Sequence, residues 1–169
     1  FYANMRMINI IQDENLGSDD EVIEMLAKLL KNGSNKEYRD QLHYRIAGIY
    51  ASRGELDMTI EHLQESITSS RSNPTQKGLS FKELGEVYLL KENYSAAAIF
   101  YDSAASIIPQ EYLNYDAIEL RAEAVSEVAE LAETIATTDS LLLLSTMTEK
   151  DLELYLAELE AKKKVEGKK

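Results

Sequence analysis

The sequence predicts an all-α fold in which antiparallel helix pairs stack into a superhelix and a long C-terminal helix closes the stack. Three observations carry this expectation. Ala, Leu, Glu and Lys abound, proline occurs only at Pro74 and Pro109, and the β-branched alternation of strands is hard to find. A pattern of small, aromatic and turn residues recurs at a constant offset. Beyond Pro109 that pattern gives way to a longer run of apolar residues at helical spacing.

The repeat decides the architecture. Ile46-Ala47-Gly48-Ile49-Tyr50 followed by Gly54-Glu55-Leu56 aligns with Leu84-Gly85-Glu86-Val87-Tyr88 followed by Glu92-Asn93-Tyr94, at an offset of 38 residues. The register holds past the turn, where Thr59, Ile60, Leu63, Ser66 and Ile67 fall opposite Ala97, Ala98, Tyr101, Ala104 and Ala105. In each repeat a small residue, Ala47 or Gly85, lets a neighbouring helix come close, and Tyr50 or Tyr88 fills the same face one turn later. A second helix then presents Thr59 and Ser66, or Ala97 and Ala104, as small residues two turns apart. Neither helix pair can bury its apolar stripes alone, so each stacks on the next.

A weaker copy precedes these two at an offset of 37, with Ile23, Leu26 and Leu30 ahead of Ile60, Leu63 and Ile67. Its second helix is expected to start near Ser18, with Ser18-Asp19-Asp20-Glu21 as cap and acidic first turn. Its first helix is expected from Phe1 to about Gln12. The stretch Ser69 to Lys77, rich in Ser, Asn and Pro, reads as the clearest loop and as the place where the extra residues of the period sit. Tyr112 to about Thr134 reads as one long helix, with Tyr115, Ile118, Ala122, Val125, Ala129 and Ala132 facing the last repeat. Asp139 to Leu144 is expected as a separate short apolar element, and Thr148 as the cap of a final helix with Leu152, Leu156 and Leu159 on one stripe. The resulting division is repeats over 1–109 (about 1–36 partial, 37–73 and 74–109), a capping helix over 110–135, and a helical extension with the start of a charged linker over 136–169.

The order of large aromatic, small residue, Tyr, turn, Ala, aromatic, Ala and Pro resembles the tetratricopeptide repeat. The second copy matches best, with Phe81, Leu84, Gly85, Tyr88, Tyr94, Ala97, Tyr101, Ala104 and Pro109. The first supplies His43, Ile46, Ala47, Tyr50, Leu56, Thr59, Leu63 and Ser66 in the same places. The resemblance implies a right-handed α-α superhelix whose first helices line a concave groove for an extended or helical peptide. Carried onto this sequence, it places Gln41, Tyr44, Gly48, Leu79, Lys82, Glu86 and Leu89 on that groove. The basic clamp by which some relatives hold acidic C-terminal peptides is not reproduced, because Glu86 follows Lys82 one turn later.

A narrower likeness rests on Glu37-Tyr38-Arg39-Asp40-Gln41-Leu42-His43-Tyr44, on Tyr101-Asp102-Ser103 after Asn93-Tyr94, and on Asp139-Ser140-Leu141 ahead of Met147-Thr148. In this combination the chain is similar to the tetratricopeptide-repeat lipoproteins of gliding motility and type IX protein secretion, the SprE/PorW family. That likeness implies a periplasmic scaffold, tied to the outer membrane by a lipid on a cysteine outside this sequence, which links components of the secretion machine. A peptide-sensing regulatory module of a signalling protein is the alternative use of the same repeats.

Other chemistry is weighed and set aside. A net charge of −12 repels nucleic-acid backbones and anionic membrane surfaces and suits a neutral or basic protein partner. The exception is the terminal run Lys162, Lys163, Lys164, Lys168 and Lys169, read as a solvated helix end or linker. Cysteine is absent, and no apolar run approaches the ~18 to 20 residues of a membrane span. A first residue of Phe1 with no leader-like segment is read as a piece of a longer protein. His43 and His62 fall on packing positions without recognisable ligand spacing, so no metal, cofactor or catalytic residue is expected. The acidic stretch Asp13 to Glu21 has Ser18 where a calcium loop needs glycine and reads as a turn and cap. Most of the ten tyrosines coincide with packing positions, which makes them core residues and not a stacking platform.

Overall fold

A computed structural model describes residues 1–14 and 16–166, with the side chains of 12, 13 and 160–166 outside the description. The fold is all-helical, and no strand occurs among the described residues. Helices come in adjacent pairs: α1 (Tyr2–Asp13) with α2 (Asp19–Lys31), α3 (Arg39–Ser52) with α4 (Leu56–Ser69), and α5 (Pro74–Leu90) with α6 (Tyr94–Ile107). A short 3₁₀ segment, Gly33–Tyr38, joins α2 to α3, and α4 also packs on α5. The long α7 (Tyr115–Thr146) and then α8 (Glu149–Glu166) follow.

The chain forms two compact units. One, Phe1–Ala129, contains α1 to α6 and the first half of α7. The other begins at Glu130 and contains the rest of α7 and α8, with no buried residue among those described. Of the terminal lysines, Lys162, Lys163 and Lys164 fall on α8, and Lys168 and Lys169 lie outside the described residues.

Helix ends follow local chemistry. Ser18 accepts the Glu21 amide while the Glu21 carboxylate takes the Ser18 amide at 2.8 Å, a reciprocal box that satisfies two donors left over at the start of α2. Asn73 and Asn93 cap α5 and α6 through the amides of Gln76 and Ala96, each at 3.1 Å. The two intra-repeat turns need a left-handed residue at equivalent places. Gly54 supplies it at φ 74°, and Glu92 adopts it at φ 56° despite its side chain.

Two expected boundaries are corrected. The loop anticipated over Ser69 to Lys77 is confined to residues 70–73, because Asn73 caps α5 and Pro74, which needs no amide partner at a first helical position, opens it. The extra residues of the longer period therefore lie mainly in helix, α5 having 17 residues against 14 in α3. The boundary placed at 135 also fails, since α7 runs unbroken to Thr146 and takes in Asp139 to Leu144. Neither glycine nor proline occurs between Pro109 and Thr146 to stop it, and the hydroxyls of Thr134, Thr138 and Ser140 donate to carbonyls one turn back instead of competing for the chain.

The core runs from pair to pair within the first unit. Ile8, Val22, Leu26, Leu42, Ile46 and Ile49 join α1, α2 and α3. Ala47, Leu63, Leu84 and Val87 join α3, α4 and α5, and Ala97 and Tyr101 meet Ala122, Val125 and Ala129 of α7. Among the repeat-packing residues Ala47, Leu63, Ser66, Gly85, Ala97, Tyr101 and Ala104 are buried. Tyr50 and Tyr88 are half-buried and stack on His62 and Phe100, with ring centroids 5.5 and 5.1 Å apart. Gly85 lies against the Tyr101 ring so closely that a Cβ would sit 2.5 Å from Cδ2. Gly78, which the repeat pattern did not single out, is a second such point, against Ile108.

Candidate partner-binding surface

The residues expected on a common groove separate into four places. Leu79, Lys82 and Glu86 on α5 line a cleft of about 390 Å³ together with Tyr101, Tyr112, Ile118 and Arg121. Its floor is apolar and its rim is charged. Around that rim the charges are already matched: Lys82 Nζ lies 3.0 Å from Glu83 Oε1, and Arg121 lies 3.6 Å from Glu86 Oε2. The Arg121 guanidinium also sits 6.0 Å from the centre of the Tyr101 ring, and its Nε donates to the Tyr101 hydroxyl at 3.5 Å.

Tyr44 of α3 joins this row from the neighbouring repeat, donating its hydroxyl to Glu83 Oε1 at 3.5 Å. Burial first, and then the Glu83 carboxylate, push the Tyr44 phenol up to about 12, so it stays a neutral donor. The Tyr101 phenol is raised for the same reason, burial first and Glu86 second. One polar row thus crosses α3, α5 and α7: Tyr44, Glu83 and Lys82, then Glu86 and Arg121.

Gln41 and Leu89 are elsewhere. Gln41 lines a separate polar cleft beside the α4–α5 loop. Leu89 is half-buried and packs against the cluster of Ala97, Tyr101, Ala122 and Val125. Gly48 is exposed with nothing within 4 Å of a Cβ. Sequence reasoning missed Glu83, Tyr112 and Arg121. Glu83 sits beside Lys82 and was within reach of the groove reading, whereas Tyr112 and Arg121 follow the last repeat and carry no register to mark them.

Two further features emerge only in three dimensions. His43 and His62, 19 residues apart on α3 and α4, bring their Nδ1 atoms to 3.1 Å. Burial is the main cause lowering both imidazoles below their ordinary value, with repulsion from His62 adding at His43 and with Glu65 opposing at both. No three His, Asp or Glu side chains among the described residues are grouped to hold a metal ion. The second feature is a repeated ion pair: the cation that ends each first helix reaches the acidic first turn of the preceding second helix. Arg53 reaches Asp19 at 3.1 Å and Asp20 at 2.8 Å, and Lys91 reaches Asp57 at 2.9 Å. Among the described residues no helix is long and apolar enough to cross a membrane.

No protein-family model matches the chain, and no curated protein matches it.

Proposed function

We propose that the chain is a non-enzymatic protein–protein interaction scaffold whose helix pairs form a right-handed tetratricopeptide-type superhelix. More narrowly, we infer the repeat domain of a periplasmic type IX secretion and gliding-motility lipoprotein that links machine components at the outer membrane. The register of 38 residues, the matching left-handed turn residues Gly54 and Glu92, and the repeated ion pairs at Arg53 and Lys91 support the repeat reading. The observation that carries the interaction role is the row of Tyr44, Lys82, Glu83, Glu86 and Arg121 across α3, α5 and α7, flanking the apolar cleft at Leu79 and Ile118. Such a surface offers a peptide an apolar pocket with a rim of paired charges that fixes its orientation. The sequence motifs Tyr101-Asp102-Ser103 and Asp139-Ser140-Leu141 support the narrower assignment.

The test is capture of identified secretion-machine components from a periplasmic extract on the purified chain, compared with the double variant Lys82→Glu, Glu86→Lys. Capture that the double variant loses is the expected result. A chain that retains none of those components, or a variant that retains all of them, overturns the proposal.

A further inference from the structure

The cleft that contains Gln41 has a character of its own. It measures about 950 Å³ and lies between the 3₁₀ segment, the start of α3 and the α4–α5 loop. Lys36, Arg39 and Arg71 line it, three cations on a chain of net charge −12. Five other cations of the fold, Lys28, Arg53, Lys82, Lys91 and Arg121, each sit in an ion pair. Lys36, Arg39 and Arg71 have no described carboxylate partner.

Arg39 makes the case sharper. Its Nε is buried and has no hydrogen-bond partner. A buried guanidinium N–H left without an acceptor is costly, and the terminal nitrogens of Arg39 are not among the buried unpartnered atoms, so an acceptor in the cleft would meet the guanidinium there. Two carboxylates also line the cleft and offset part of this charge, leaving the lining with one net positive charge. Asp40 is 2% exposed and turns an oxygen onto the Gln41 amide at 2.8 Å, while Glu37 is exposed to solvent. The Ser69 side chain adds a hydroxyl to the lining. Planar guanidinium groups with free N–H donors match the two-oxygen edge of a carboxylate or phosphate.

We propose that this cleft is an oxyanion-binding site, held by the Arg39 and Arg71 guanidiniums with Lys36 at the rim, for the carboxylate of an acidic peptide or for a phosphate group. It is separate from the row at Tyr44 and Lys82, and its test does not depend on the scaffold assignment. Three probes are titrated into the purified chain: a labelled peptide rich in Asp and Glu, its Asn and Gln counterpart, and inorganic phosphate. Either anion binds, the neutral peptide does not, and added salt weakens the complex. Arg39→Gln and Arg71→Gln each weaken binding by about tenfold or more, while Lys91→Gln, a cation paired elsewhere, leaves it unchanged. An acidic peptide that phosphate does not displace assigns a carboxylate ligand; binding of phosphate with no affinity for the peptide assigns a phosphate ligand. Arg71 is exposed at the α4–α5 loop, so its variant keeps the test open if Arg39→Gln fails to fold. Equal binding of the neutral peptide, no binding of either anion, or affinities unchanged by both arginine variants overturns the proposal.

Discussion

The same substitution at two glycines of the repeat is expected to act in opposite directions. At Gly85 a Cβ would lie 2.5, 2.7 and 3.2 Å from Cδ2, Cε2 and Cγ of Tyr101. Carbon pairs rest near ~3.5 to 4.0 Å, so the ring or the helix must move by about 1 Å. Tyr101 is fully buried and packed with Ala97, Ala122 and Val125, so a shift of its ring disturbs the contact of α6 with α7. Overpacking of this kind costs roughly 1 to 3 kcal/mol, partly offset by the ~1 kcal/mol that alanine gains over glycine within a helix. Gly85→Ala is therefore expected to lower stability by about 1 kcal/mol and Tm by about 2 to 4 °C. Gly48 lies inside α3 with open space around it, so Gly48→Ala keeps only the helical gain of ~1 kcal/mol and raises Tm by a similar amount. Thermal and urea unfolding followed by circular dichroism read both. A Gly85→Ala variant as stabilised as Gly48→Ala refutes the close-packing argument.

Two further outcomes are expected. Ser66 is buried where α3, α4 and α5 meet, its hydroxyl 2.7 Å from the Asp40 carbonyl oxygen and 2.8 Å from Ser80 Oγ. Ser66→Ala is expected to cost about 1 to 2 kcal/mol, and Ser80→Ala on top of it less than its own single effect; an unchanged urea midpoint in Ser66→Ala contradicts this. For the His43–His62 pair, folding depresses both imidazoles, so the unfolded chain binds more protons once pH falls below the ordinary histidine value of ~6.5. Stability is then fully present above that value and declines as pH drops through the window beneath it, with Arg39, Glu61 and Glu65 as the charged neighbours. His43→Gln should flatten that slope in urea unfolding measured between neutral and mildly acidic pH; an equally steep slope in the variant rules the pair out as its source.

Much of the repeat was legible because its signals are local and periodic. A helix buries residues three and four apart, so Ala47, Leu63, Gly85, Ala97 and Tyr101 stand out in one dimension at the spacing their packing needs. Caps are local too: Ser18 and its partner Glu21 lie within one turn, and the start of α2 was readable from them. Helix termination is less so. The run from Asp139 to Leu144 looked like a separate element because its apolar pattern changes, yet nothing in it breaks a helix, and backbone hydrogen bonding carried α7 through.

The candidate sites were legible only in part, for a geometric reason. Leu79, Lys82 and Glu86 share one helix face, and the resemblance to the tetratricopeptide repeat placed them together. Arg121, Tyr44 and Glu83 come to the same row from three helices, and His43 meets His62 across a helix pair. The sequence by itself determined the helices, their pairing and most of the packing residues, since 3.6-residue periodicity and turn chemistry act over a few positions. Only the tertiary structure decided which charged side chains neutralise one another and which, like Arg39 and Arg71, have no partner among the described carboxylates, because that depends on where residues distant in sequence are held. Leu89 marks the boundary between the two: the repeat resemblance pointed it to the groove, and the packing of α6 and α7 leaves it half-buried beside the cluster of Ala97, Tyr101, Ala122 and Val125.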